Sequence, residues 1–341
     1  MLHDPELHYL DNAATTIVAP EVADVIDKAM REHWANPSSL YAPGARSEEA
    51  LNAARAAVAR TLGCKSKELY FTSCGSESNN LAVQGLAMAR KNWGSKIVVS
   101  GFEHPSVQRP IRALKDRGFE VVEILPEADG HLDVAKLAAE VDKNTVLVSC
   151  MAVNNETGTL QDIAALSTAV KAKNSRCAVH VDAVQAWLRI PIDLKKWKNV
   201  DTLSVSGHKV HAPKGIGALF IRDSVRQTLC PPYLGGHQER GLRPGTENTP
   251  YIVGLGLAAA KGAQRLRTKD DHLKTVGFGE VPLAEVRWLP KGHTVGTERP
   301  IVLKKPTRVG VLPVGYQNGF GVTRPRETGL LGFLRAWRQA R

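Results

Sequence analysis

Seven short runs, at 68–73, 96–100, 119–124, 145–150, 178–182, 202–206 and 218–222, are apolar and mostly β-branched. A strand with one wet face alternates between apolar and polar residues; a strand covered on both faces reads as a near-continuous apolar run. The pattern predicts buried strands. Helical patterns lie between several of them. Pro20 stands at a favourable first helical position, and Val22, Val25, Ile26, Met30 and Trp34 recur behind it at helical spacing. Residues 47–62 and 160–173 read in the same way. Strand and helix in alternation predict an α/β fold with a mostly parallel seven-stranded sheet over residues 15–250. In such sheets ligands bind beyond the carboxyl ends of the strands.

The alternation stops near residue 270. A charged run, RTKDDHLK, is followed by short β-like pieces rich in Gly and Pro. The division expected is an N-terminal segment (1–14), a large ligand-binding domain (15–250), a linker helix (251–276) and a β-rich tail (277–341). The net charge of +11 belongs mostly to the tail: residues 272–341 hold 12 Lys and Arg against 4 Asp and Glu. The body is nearly neutral and no dense basic block is present, so a solvated basic face is expected and nucleic acid is not an expected partner. No run is long and apolar enough to span a membrane, and the N-terminus lacks the plan of a signal peptide. The five cysteines are scattered with no CxxC pair, which argues for reduced thiols in a cytoplasm and against a metal site.

The unusual polar residues cluster at strand ends. FTSCGSESNN follows a strand and opens a helix; Gly75 and Ser76 there present backbone N–H groups and a hydroxyl to an anion. His104 follows the next strand in FEHPSV, and Asn155 follows another in VNNETG. HVDAVQ ends a strand with Asp182 and carries Gln185 three residues on. SVSGHKVHAPKGIGAL then places Ser206, His208 and Lys209 in one turn. Each has an ordinary use as a cap, a turn residue or a surface charge. Together they supply what pyridoxal 5'-phosphate requires: an amine for its aldehyde, a carboxylate for its ring nitrogen, a flat group for its ring and a cradle for its phosphate.

These stretches, with YLDNAATT, NPSSLYAPGARSEEALNAAR and GGHQERGLRPGTENTP, occur over residues 8–271 in an order that resembles the cysteine desulfurases of the nitrogen-fixation and iron–sulfur-cluster type, in the class V aminotransferase family. The resemblance implies a fold-type-I enzyme that uses pyridoxal phosphate to take sulfur from L-cysteine or a related amino acid. It implies that Lys209 bonds the aldehyde covalently and that Asp182 pairs with the ring nitrogen. Gln185 is implied to contact the phenolic oxygen, and His104 to stack on the ring and move protons. Ser76, Ser206 and His208 would hold the phosphate, Asn155 would contact cofactor or substrate, and Thr246 would reach a phosphate across a homodimer interface. A sulfur acceptor or iron–sulfur scaffold protein is the implied macromolecular partner.

The family's late mobile loop with its cysteine nucleophile has no counterpart here, since the last cysteine is Cys230. Impaired sulfur transfer is therefore expected. A selenocysteine-lyase-like or other lyase or aminotransferase activity, and a non-catalytic cofactor-binding fusion or interaction protein, are the alternatives. Residues 277–341 resemble instead the C-terminal β domain of alanine racemases, in EVRWLPKGHTVG and PTRVGVLPVGYQNGF. The tyrosine that follows TVG in those enzymes is missing from TVGTER.

Overall fold

The structure is a computed structural model; it describes residues 11–268 and, beyond them, the backbone of four short strands. The chain divides into two units. One spans Asn12–His272 and the other takes in Leu273–Arg341.

The first unit is built on a seven-stranded sheet. In chain order its strands are β1 (Leu69–Thr72), β2 (Lys96–Ser100), β3 (Glu120–Ile124), β4 (Thr145–Ser149), β5 (Ala178–Asp182), β6 (Thr202–Ser206) and β7 (Gly217–Ile221). Across the sheet they run β1-β7-β6-β5-β4-β2-β3, and only β7 lies antiparallel to its neighbours. Every strand except the edge strand β3 is buried at all positions. Alternate residues feed two cores, one on each face. Leu69, Val98, Val179, Leu203 and Phe220 join the larger; Tyr70, Ile97, Val99, Leu219 and Ile221 join the smaller. A sheet covered on both faces needs apolar residues at both parities, which is why the runs do not alternate.

The helices are α1 (Pro20–Glu32), α2 (Ala42–Leu62), α3 (Gly75–Ala89), α4 (Pro105–Ala113), α5 (Val134–Ala139), α6 (Ile163–Lys173), α7 (Asp223–Arg226) and α8 (Thr249–Thr268). α1 begins at Pro20 and buries Val22, Ile26 and Ala29. Met30 and Trp34, grouped with that stripe by their spacing, are exposed, and Trp34 lies past the helix end. α2 starts at Ala42 rather than near residue 47, because Pro43 suits its first turn. α6 starts at Ile163, where the Asp162 side chain accepts from the Ala165 amide at 2.9 Å. α8, in the stretch expected to be a linker, packs on α1 and α2 and contributes Ile252, Leu255, Ala258 and Ala259 to the larger core.

In the second unit, strands β8 (Glu285–Leu289) and β11 (Thr307–Val311) pair antiparallel, as do β9 (Thr294–Val295) and β10 (Ile301–Val302). The rest of the stretch likened to the racemase domain, and the N-terminal segment before residue 11, lie outside the described residues.

Candidate active site

The carboxyl ends of β1, β2, β4, β5 and β6 open toward one edge of the sheet. β7 runs the other way, so its first residue, Gly217, sits between Ser206 at the end of β6 and Thr72 at the end of β1. A side chain at Gly217 would meet the backbone of Cys74 at 2.8 Å. Glycine there lets the β1–α3 turn and the β6 turn close on each other.

α3 begins at Gly75, directly after β1. A Cβ at Gly75 would lie 2.7 Å from Val184 Cγ2 and 3.4 Å from Ser206 Cβ, so this helix start presses against the ends of β5 and β6. Ser206 is buried, and its hydroxyl has no hydrogen-bond partner among the described residues. An unsatisfied buried hydroxyl is costly unless a ligand completes it. Ser76, in the first turn of α3, is exposed. The place has the makings of a phosphate cradle: an α-helix N-terminus, a close-packed glycine and an orphan hydroxyl.

Lys209 ends the short turn Gly207–Lys209 that follows β6. Its Nζ donates to the carbonyls of Ala13 and Ala14. The segment carrying those carbonyls is laid over the turn by Thr16, whose amide and hydroxyl donate to the His208 carbonyl at 2.8 and 2.9 Å. Sequence reasoning singled out the lysine but not this strap. His208 Nδ1 lies 3.2 Å from Thr15 Oγ1. Burial, then the positive charges of Lys209, Lys214 and Arg189, push the His208 imidazole down to about 4, so it is neutral at physiological pH.

Asp182, at the end of β5, is buried. Its Oδ1 accepts from the Val184 amide at 2.9 Å and its Oδ2 from Asn79 Nδ2 at 2.8 Å. Both donors are neutral, and no described side chain forms a salt bridge with it. Burial raises its pKa; the two hydrogen bonds and the nearby Lys209 ammonium act the other way. A carboxylate so placed fits a protonated ring nitrogen as its missing cation.

His104 caps α4, accepting from the Ser106 amide at 3.1 Å through Nδ1. Gln185 is buried and already committed: Nε2 donates to the Ala13 carbonyl at 2.9 Å, and Oε1 accepts from Arg189. Asn155 is half-buried and its side chain has no hydrogen bond among the described residues; the bonded asparagine in that turn is Asn154, which ties Glu156 and Thr157 together. Thr246 is exposed and likewise makes no side-chain hydrogen bond among the described residues. Its loop is anchored beside the α3 start, where Arg243 Nε donates to Glu77 Oε1 at 3.0 Å. The structure thus gathers Gly75, Asp182, Gln185, Ser206, His208 and Lys209 into one site, with Ser76 and His104 on its open side.

Sequence reasoning gave no role to Asn79, Ser106, Glu103, His180 or Arg189. One signal was present: His180 and Asp182 lie two apart in a strand and so share a face, making a polar face inside a buried strand.

Three thiols are kept protonated by burial. Cys64 and Cys177 are each pushed up to about 12, and burial likewise raises Cys150 well above the usual thiol range. Cys74 lies at the start of α3, half-buried. Cys230 is exposed, but its amide and carbonyl pack on Gly85 of α3. Gly85 is ten residues beyond Gly75, about 15 Å along the helix at the α-helical rise.

Residues 8–274 match the Aminotransferase class-V family. A cysteine desulfurase of Trichormus azollae is 41% identical over 288 residues, covering 82% of this chain and 70% of that protein. The cysteine desulfurase IscS of Methanosarcina thermophila is 44% identical over 250 residues, covering 73% of this chain and 61% of that protein. Among solved structures, a NifS-like protein superposes with a TM-score of 0.74 at 38% identity, covering 76% of this chain and 70% of that one. SspA in complex with cysteine gives a TM-score of 0.70 at 39% identity, covering 74% and 72%.

Proposed function

The chain belongs to the class-V aminotransferase family, and on that premise we propose that it is a pyridoxal-phosphate-dependent cysteine desulfurase whose sulfur-transfer half is impaired. The observation that carries the reading is Lys209, an amine in the turn after β6, in the same site as a buried Asp182 that has no salt-bridge partner among the described residues. Relatives named as cysteine desulfurases support the substrate class, as does a similar structure named for its complex with cysteine.

Pyridoxal phosphate, when bound, supplies an aldehyde that takes up an amino group and a ring that withdraws electrons from the α-carbon. The chain's own residues divide the remaining work. Lys209 Nζ is the amine that would hold the aldehyde and afterwards carry a proton to or from the α-carbon. Asp182 Oδ2 would hold a proton on the ring nitrogen and keep it positive. Ser206 Oγ, Ser76 Oγ and the backbone N–H groups of the α3 start would bind the phosphate, with neutral His208 beside them. His104 would cover the ring. Gln185, held by Ala13 and Arg189, would donate toward the phenolic oxygen. Thr246 and Asn155 would complete the site from exposed loops, Thr246 in the neighbouring subunit of a homodimer. Sedimentation of the cofactor-loaded protein would show twice the chain mass; a monomer would overturn the dimer.

By the family route, removing sulfur from cysteine needs a mobile thiolate that attacks the substrate sulfur and leaves as a persulfide. Cys230 is far from the cradle and Cys74 is fixed at a helix start, so neither suits that motion. The protein is expected to work in a reducing cytoplasm and to pass sulfur, where any is released, to an acceptor of the iron–sulfur scaffold kind. The test is an assay of sulfide and alanine from L-cysteine under reducing conditions, in the parent and in Cys230→Ser and Cys74→Ser. Weak release, unchanged in either variant, is expected. Robust release abolished by one substitution would show a substitute nucleophile and overturn the impairment.

A further inference from the structure

Asn79 is buried in α3 between the two residues that flank the proposed ring. Its amide carries two hydrogens on Nδ2 and an acceptor, Oδ1. Nδ2 lies 2.8 Å from Asp182 Oδ2 and 2.8 Å from Ser106 Oγ. Oδ1 lies 3.1 Å from His180 Nε2, and His180 Nδ1 lies 2.9 Å from Thr202 Oγ1. Ser106 Oγ in turn lies 2.7 Å from His104 Nδ1.

These contacts admit one consistent assignment of hydrogens while Asp182 is ionised. A reversed amide would set Oδ1 against a carboxylate oxygen, acceptor on acceptor, so the NH2 group faces Asp182. Oδ1 must then accept from His180 Nε2–H, which leaves His180 Nδ1 to accept from the Thr202 hydroxyl. His180 is neutral, as this requires, because burial depresses it to about 3. The second Nδ2 hydrogen goes to Ser106 Oγ. That hydroxyl has its own hydrogen left for His104 Nδ1, which already accepts from the Ser106 amide. A ring nitrogen that receives two donors carries no hydrogen, so the neutral imidazole of His104 bears its hydrogen on Nε2.

We propose that Asn79 is a positioning residue that governs both arms of the site, holding the Asp182 carboxylate directly and, through Ser106, fixing His104 as the Nε2–H tautomer. The inference rests on the proposed roles of Asp182 and His104. It adds that His104 presents an N–H donor, and not a lone pair, to whatever it covers. No described residue bonds to that Nε2, so the donor is free for a ligand. One amide therefore sets the charge on one side of the ring site and the hydrogen-bonding sense on the other.

The test is nitrogen NMR of protein labelled with 15N-histidine, stripped of pyridoxal phosphate and held at pH 8. Because no cofactor is present, the result stands or falls independently of turnover. The expected spectrum has His104 and His180 both with protonated Nε2 and unprotonated Nδ1. In Ser106→Ala, Nδ1 of His104 keeps only the longer backbone bond, and its two ring resonances should move toward each other; Ser106→Thr should restore the parent positions. Asn79→Ala leaves the Ser106 hydroxyl in place but unoriented, so it should move the same resonances in the same direction by less, and should weaken pyridoxal phosphate binding several-fold through the loss of the Asp182 bond. Asn79→Ala removes a buried partner, so Ser106→Ala serves where the former does not fold. A hydrogen on Nδ1 of either histidine, or parent shifts in Ser106→Ala, would overturn the proposal.

Discussion

Glu103, a buried carboxyl group without a cationic partner among the described residues, holds its proton well past the usual carboxylate range. Its Oε1 accepts from Ser100 Oγ and the Met151 amide, and its Oε2 has no partner among the described residues. Burial, then repulsion from Asp182, pushes it up to about 8 despite those hydrogen bonds. His180 is the opposite case, held neutral down to about 3. For Glu103 the folded state binds the extra proton between its unfolded value near 4.5 and about 8, so stability falls as pH rises through that window. For His180 the unfolded state binds the extra proton between about 3 and 6.5, so stability falls as pH drops through that window. The two effects oppose each other between about pH 4.5 and 6.5. Above that range His180 no longer opposes Glu103, whose contribution falls on the order of 1 kcal/mol per pH unit. Glu103→Gln, which keeps the acceptor oxygen, should flatten the decline of unfolding free energy between pH 6.5 and 8 measured by urea titration. An unchanged slope would place the proton elsewhere. Lys209 and Asp182 were legible in the sequence because a charge at the end of a buried strand needs a reason. Asn79, Ser106 and Glu103 were not. Asparagine and serine in the first turns of helices are ordinary capping residues, and their work here depends on α3 and α4 meeting beside β5.

The sheet was legible element by element, since each apolar run became a strand within about two residues. The reversed direction of β7 was not, because run length and composition carry no sign. Nor was the packing of α8, whose sequence follows a Gly- and Pro-rich loop and reads as a departure from the layer. The loop before α8 has a device of its own. Glu239 and Arg240 both adopt left-handed backbone, at φ 45° and 56°. Arg55 of α2 holds Glu239 in a buried two-pronged pair at 2.7 and 2.8 Å, and Glu239 also accepts from the Phe71 amide at 2.9 Å. Arg240 lies over the Tyr70 ring and donates to the Leu69 carbonyl at 2.6 Å. The pair thus ties α2, β1 and the loop that leads to Thr246 into one piece. Arg55→Met would leave Glu239 charged and buried without its partner, a loss of about 3–5 kcal/mol. Denaturant unfolding should show this as a lower midpoint with an unchanged slope. A loss below about 1 kcal/mol would mean that the pair is incidental.

At the scale of the whole molecule, family resemblance and fold coincide over the first unit and stop together. The family match ends at residue 274, and the first unit ends at His272. The family's chemistry is therefore tested within that unit, by whether the strand-end cluster takes pyridoxal phosphate on Lys209. Among the described residues Ser206 has an orphan hydroxyl and Asp182 no salt-bridge partner, and one ligand with a phosphate and a protonated ring nitrogen would complete both. The most direct measurement is to load the purified protein with pyridoxal phosphate, reduce it with borohydride, and locate the pyridoxyl group by peptide mass spectrometry. The expected result is a single adduct on Lys209, with Lys209→Ala giving none while still retaining some cofactor non-covalently. An adduct on another lysine, or a visible absorbance that survives in Lys209→Ala unchanged, would contradict the assignment of this site.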